Sequence, residues 1–183
     1  MQNRKKTKRY IKVCYGISSQ AGESDNHIFM SDYDGYSLES VVNHLRPIQK
    51  EFNLSDIFII ESTNGFNALS LDLLPNSLIY MIGSDVYSIA DHKFFKYGFD
   101  RGYYTLRFDK DKKLVRILRN NSMKYKKSLA HKLFLEWFFD IKIDGSNNNF
   151  DDNKKIRIIQ YRSEKHGFHS VVNKETVYDR LMT

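Results

Sequence analysis

One cysteine, two prolines and no long apolar run are the first things this chain withholds. A lone thiol, Cys14, rules out an intramolecular disulfide and any zinc site built on cysteines. Lying between Val13 and Tyr15 in a strand-like stretch, it reads as a core residue. No segment approaches the roughly 18 uninterrupted apolar residues of a membrane span, and the basic residues near the N-terminus lack the apolar stretch of a secretory signal. The expectation is a cytoplasmic protein with no membrane partner. Also missing are a P-loop, a Rossmann glycine fingerprint, a His-rich zinc pattern and a Gly-x-Ser-x-Gly elbow, which argues against the commoner ATPase, dehydrogenase and hydrolase readings.

What is present is 183 residues, 41% of them apolar, enough for one sizeable core. We expect a basic arm at 1–9 and a single α/β domain over 10–183. The formal charge of +7 is clustered, with Arg4, Lys5, Lys6, Lys8 and Arg9 at one end. A second cluster holds Lys110, Lys112, Lys113, Arg116, Arg119, Lys124, Lys126 and Lys127. Such clusters suit a polyanion, nucleic acid first; the plainer reading is solvated surface.

Hydrophobic periodicity gives the elements. Tyr10–Ser18 alternates as a strand expected to end near Gly16, before a Gly, Ser, Asp and Asn loop. Ile28–Met30 leads into Ser31-Asp32-Tyr33-Asp34-Gly35, and Leu38, Val41, Val42, Leu45, Ile48 and Phe52 mark a helical face with Ser37 as N-cap. Pro47 falls inside that pattern and is expected to kink or split it. Ile57–Ile60 and Phe66–Leu71 read as a hairpin. A second helix is expected from Pro75 to about Ile89, with Ile79, Ile82 and Val86 at helical spacing. Tyr103–Phe108 and Leu114–Leu118 read as another hairpin about Asp109-Lys110-Asp111. Residues 28–108 then give an α+β chain in the βαββαβ order of ferredoxin-like, RRM-like folds. An extra N-terminal strand precedes it. A C-terminal helix, with Leu129, Leu133, Trp137 and Ile141 as its core stripe, and the strand Ile156–Tyr161 follow, separated by a polar loop over Asp144–Lys155.

Asp32 and Asp34 alternate with Tyr33, so on an extended backbone both carboxylates project to one side and can share a divalent cation, Mg²⁺ or Mn²⁺. The plainer reading is a turn closed by Gly35. Arg101 and Arg107 have the guanidinium geometry for phosphate, with ion pairs to Asp100 or Asp109 as the alternative. Tyr103, Tyr104 and Phe108 are candidates for base stacking, or for core.

In Phe29-Met30-Ser31-Asp32-Tyr33-Asp34-Gly35 and Glu61-Ser62-Thr63-Asn64-Gly65-Phe66-Asn67 the chain resembles the archaeo-eukaryotic primases, including the primase-polymerases of plasmids and viruses. There an aspartate pair closes a hydrophobic strand, a Ser-and-His motif follows on a hairpin, and a third acidic residue comes later. The resemblance spans roughly residues 27–109. It implies Asp32, Asp34 and Asp91 as catalytic metal ligands, with Asp72, Asp100 and Asp109 competing for the third place. It implies Ser62, Asn67, Arg101 and Arg107 at the nucleotide, a basic strand over Asp100–Arg107, and nucleoside triphosphates, DNA in preference to RNA, and a replicative helicase or other replication protein as partners. Asn67 stands where the family has histidine, and an amide supplies neither cationic charge nor a proton. Ser163-Glu164-Lys165-His166-Gly167-Phe168-His169 offers His166 and His169 as an alternative, set against an incidental surface turn. The expected function is therefore a primase-polymerase-like domain of a small replication protein. The alternatives are a catalytically inactive nucleic-acid-binding module of the same fold and a metal-dependent nuclease.

Overall fold

The computed structural model describes residues 12–21, 25–84, 88–108, 111–144, 149–164 and 167–171. The basic arm, Val86, Asp109, Lys110 and His166 lie outside the described residues. In chain order the elements are β1 (Lys12–Ala21), β2 (Asn26–Asp34), α1 (Leu38–Glu51), β3 (Ile57–Glu61), β4 (Gly65–Pro75) and α2 (Asn76–Gly83). They continue with α3 (His92–Arg101), β5 (Thr105–Phe108), β6 (Lys113–Leu118), α4 (Leu129–Phe139), β7 (Ile156–Glu164) and β8 (Gly167–Val171). This is an α+β fold. Its strands are hydrogen-bonded in the order β6-β3-β4-β2-β1-β7-β8, with β5 joined to β1, and the ladders between them are antiparallel. Among the described residues no helix is long and apolar enough to cross a membrane.

β1 outruns its expected end at Gly16, because Gly16, Ile17 and Ser18 are buried between partners on both edges. On one edge it pairs with β7. The other edge is shared: Tyr15–Ser18 pair with β5, and Gln20 pairs with His27 of β2. A register shift against β7 between Ile17 and Ala21 falls at the same place, and such bulges bend a strand. β2 and β5 thus leave β1 as two arms of a fork, and no ladder joins them among the described residues.

The β3–β4 hairpin forms as its alternation predicts, and β2 pairs along β4, with Asp32 opposite Asn67 and Asp34 opposite Gly65. Only glycine fits at 65, where a Cβ would lie 2.0 Å from the Tyr33 carbonyl oxygen. The second expected hairpin does not close on itself: β5 joins β1, and β6 joins β3. Burial explains the difference. Phe108 is 1% exposed and packs against Phe134 and Phe138 of α4 at ring-centre distances of 5.1 Å, an enclosure that a two-stranded ribbon cannot provide.

Ser37 caps α1, accepting from the Ser40 N–H at 3.2 Å. Val41, Leu45 and Gln49 form its buried face, and Gln49 Nε2 donates to the carbonyls of Ser55 and Leu118. Pro47 does not break this helix. It sits on the exposed side, as does Asn43, so the carbonyl that loses its partner faces water. The helix expected over 75–89 ends at Gly83, and a separate helix, α3, begins after Asp91. Asp91 caps α3 by accepting from the Lys93 N–H at 2.8 Å, and Gly102, at φ 79°, closes it in the left-handed region. Asp100 and Arg101, expected to open a basic strand, form its last turn.

In α4 the buried residues are Ala130, His131, Phe134 and Leu135, whereas Trp137 is 58% exposed. The expected stripe is one position out of phase. His131, polar by type, is fully buried because both ring nitrogens are satisfied. Nε2 donates to the Ser18 carbonyl at 2.8 Å, which leaves Nδ1 to accept from Ser128 Oγ at 2.7 Å.

Candidate functional site

The strand that carries the aspartate pair is buried from His27 to Ser31, half-buried at Asp32 and exposed at Asp34. Alternation turns Tyr33 the other way. Its ring is fully buried and its hydroxyl meets His44 Nδ1 of α1 at 3.1 Å. The expected turn reading therefore gives way: Asp32 and Asp34 are strand residues with one residue between them, and Gly35 follows the strand.

Both carboxylates line one cleft of about 380 Å³ together with Ser62, Thr63, Asn64, Asn67, Thr105, Leu106, Arg107 and Lys112. The two arms of the fork form its walls, β2 contributing the acids and β5 contributing Thr105, Leu106 and Arg107. Five of the residues singled out by sequence meet here: Asp32, Asp34, Ser62, Asn67 and Arg107. Asn67 Nδ2 donates to Asp32 Oδ1 at 2.6 Å, and Lys112 Nζ donates to Asn67 Oδ1. Thr105 Oγ1 is buried without a hydrogen-bond partner among the described residues.

Burial, the nearby charge of Asp34 and, more weakly, that of Asp91 raise the Asp32 carboxyl to about 6, against an opposing pull from Lys112. A cation beside the pair would relieve the same desolvation and repulsion. Two adjacent carboxylates are hard oxygen donors of the kind that hold Mg²⁺ or Mn²⁺ through one or two side chains, with water and phosphate completing the shell. The donor set of the cleft, two aspartates, is of the chemical type that such an ion takes.

Asp91 lies close by without joining the cleft lining. Its N–H donates to the Asp32 carbonyl at 2.8 Å, while its carboxylate caps α3. Among the described residues no group of three His, Cys, Asp or Glu side chains converges as a metal site. The competitor Asp72 is 1% exposed and takes hydrogen bonds from the Ser55 N–H and Ser70 Oγ; burial pushes its carboxyl up, and its role is to hold β4 to the 54–56 segment. Asp100 stands in the last turn of α3, and Asp109 lies outside the described residues.

Arg101 is not in the cleft: its Nε donates to the Tyr97 carbonyl and its guanidinium lies 5.4 Å from the Tyr103 ring centre. Tyr104 and Phe108 are core, at 0% and 1% exposure, which removes them as stacking platforms. Tyr103 is half-buried, with Arg157 on its ring at 5.3 Å. His166 lies outside the described residues, and His169 is placed only by its position in β8, opposite Arg162.

Lys112 escapes a sequence reading of the site. It is one lysine in a basic run, 45 residues from the asparagine that it contacts. No family model matches the chain, and no curated protein or solved structure is significantly similar to it.

Proposed function

We propose that the cleft binds a nucleoside triphosphate with a divalent cation, and that the chain is a primase-polymerase-like domain of a small replication protein. One observation carries this reading. A single cleft sets two aspartates on one wall and an exposed arginine, Arg107, on the other, residue types that a metal–phosphate complex requires. The order β2, α1, β3, β4, with β2-β4-β3 as neighbours, supports the first three strands of a ferredoxin-like, RRM-like core; two helices, α2 and α3, then precede β5, which joins β1 instead of β2.

Asp32 and Asp34 would hold Mg²⁺ or Mn²⁺, which when bound supplies charge neutralisation on the phosphates. Arg107 would bind phosphate oxygens, with Ser62 and Asn67 as hydrogen-bonding neighbours. In the reaction a 3′-hydroxyl oxygen forms a bond to the α-phosphorus, the bond to pyrophosphate breaks, and the hydroxyl proton passes to solvent. Lys113, Arg116, Lys124 and Lys126 are exposed and supply the basic surface that DNA would need.

The second reading is a nucleic-acid-binding module without chemistry. It is favoured by the neutral Asn67 in the cleft and by the engagement of the Asp91 carboxylate as a helix cap. Calorimetric titration of Mn²⁺ and ATP into the wild type and Asp32→Ala/Asp34→Ala, followed by primer synthesis and extension, separates the two. Metal-dependent ATP binding that the double variant lacks, with product formed only by the wild type, is expected. Undiminished synthesis by the double variant refutes the assignment. ATP binding without synthesis leaves the second reading.

A further inference from the structure

The ammonium of Lys112 reaches the carboxylate pair from the segment between β5 and β6. It is half-buried, 5.8 Å from the Phe108 ring centre, and donates to Asn67 Oδ1. Asn67 is 4% exposed and spends its other end on Asp32 Oδ1. An amide held at both ends cannot turn over without losing both bonds, since its oxygen accepts and its nitrogen donates. The chain Lys112 to Asn67 to Asp32 therefore sets a positive charge beside the aspartate at a fixed place, near enough to draw the Asp32 carboxyl downward.

We infer that Lys112 is the phosphate-binding cation of this cleft, positioned by Asn67, and that without ligand its charge stands where a divalent ion comes to lie beside Asp32. It takes this role only if the cleft binds nucleotide phosphates, as proposed above. An ammonium is a compact charge with three donors on a flexible stem, able to exchange one acceptor for another. A neutral amide oxygen is a weaker partner for it than a phosphate oxygen, so an arriving triphosphate draws Lys112 off Asn67. A bare divalent ion meets the opposite situation and is repelled by the same ammonium. One side chain thus acts with opposite sign on the ion alone and on the ion with nucleotide.

Calorimetry on the full chain tests this with three probes: Mn²⁺ alone, Mn²⁺ with ATP, and Mn²⁺ with AMP. Lys112→Met should bind bare Mn²⁺ several-fold more tightly and ATP about tenfold to a hundredfold more weakly, with a smaller loss for AMP. Lys112→Arg should stay close to the wild type for ATP. Asn67→Ala should weaken ATP binding by less than Lys112→Met, and a double variant by no more than Lys112→Met alone. A merely structural lysine predicts that Mn²⁺ and ATP weaken together, and that result overturns the inference. So does full ATP affinity in Lys112→Met, even though the nucleotide reading then survives. Absence of Mn²⁺-dependent ATP binding in the wild type overturns both.

Discussion

Replacing Asp32 by asparagine should make this protein more stable at neutral pH. Burial and the charge of Asp34 lift its carboxyl from 3.8 to about 6 in the folded chain, whereas the unfolded chain leaves it near 3.8. A raised folded-state value brings stability that is fully present below pH 3.8 and lost as the pH rises through about 6. A gap of roughly 2 pH units corresponds to about 3 kcal/mol above that window. Asparagine has the same shape and keeps an oxygen for the Asn67 Nδ2 donor, now at 2.6 Å, so the charge goes while the hydrogen bond stays. For a chain of this length Asp32→Asn should raise the melting temperature at pH 8 by about 6 to 12 °C, fading to nothing near pH 4. Calorimetric melts at pH 4, 6 and 8 measure this directly. Added Mn²⁺ should narrow the gap, because an ion at a hundred times its dissociation constant stabilises the wild type by about 2.7 kcal/mol and the variant by far less. A variant no more stable than the wild type at pH 8, or a gain that persists at pH 4, refutes the view that Asp32 is ionised against its surroundings.

Two further outcomes follow from the core. Burial holds His131 down at about 4, so its stabilising share is present above pH 6.5 and lost as the pH falls through 4, by about 3 kcal/mol. Urea melts of Asp32→Asn between pH 7 and 4 should show that slope free of the opposing aspartate, and His131→Gln in the same background should flatten it; an undiminished slope would exclude His131 as its source. Gly65→Ala places a methyl group 2.0 Å from the Tyr33 carbonyl oxygen and should cost about 3 kcal/mol or more, weakening Mn²⁺ binding as β2 and β4 shift apart. An unchanged urea midpoint would show that the strands give way freely.

Local order was legible where a segment carries its own signal. The face of α1 with its Ser37 cap, the β3–β4 hairpin and the strand leading into Asp32 and Asp34 all follow from periodicity and turn chemistry. α3 is hidden although both its stops, Asp91 before it and Gly102 after it, stand in the sequence, because the helical spacing that starts at Pro75 runs on to Val86, past the end of α2. The partners of β5 and β6 are long-range choices settled by what Phe108 can bury, and two alternating runs about a turn say only that a hairpin is available. The phase of α4 is hidden because a histidine counts as polar until its acceptor, the Ser18 carbonyl, and its donor, the Ser128 hydroxyl, are in place. At the site the acids, Ser62, Asn67 and Arg107 could be read from the sequence. Asp91 could be found but not given its task, and Lys112 stood out only as one member of a basic cluster, since its partner becomes a neighbour only when β6 docks on β3.

The fork in β1 also has a mechanical meaning. The walls of the cleft belong to strands that share a root but, among the described residues, no rungs, and the bulge between Ile17 and Ala21 sits at that root. The backbone angles at that bend therefore set how far the β5 wall, with Arg107, stands from the β2 wall, with Asp32. The spacing of the two walls thus rests on one bent strand, and a residue inserted or removed between Ile17 and Ala21 should change that spacing before it changes either wall.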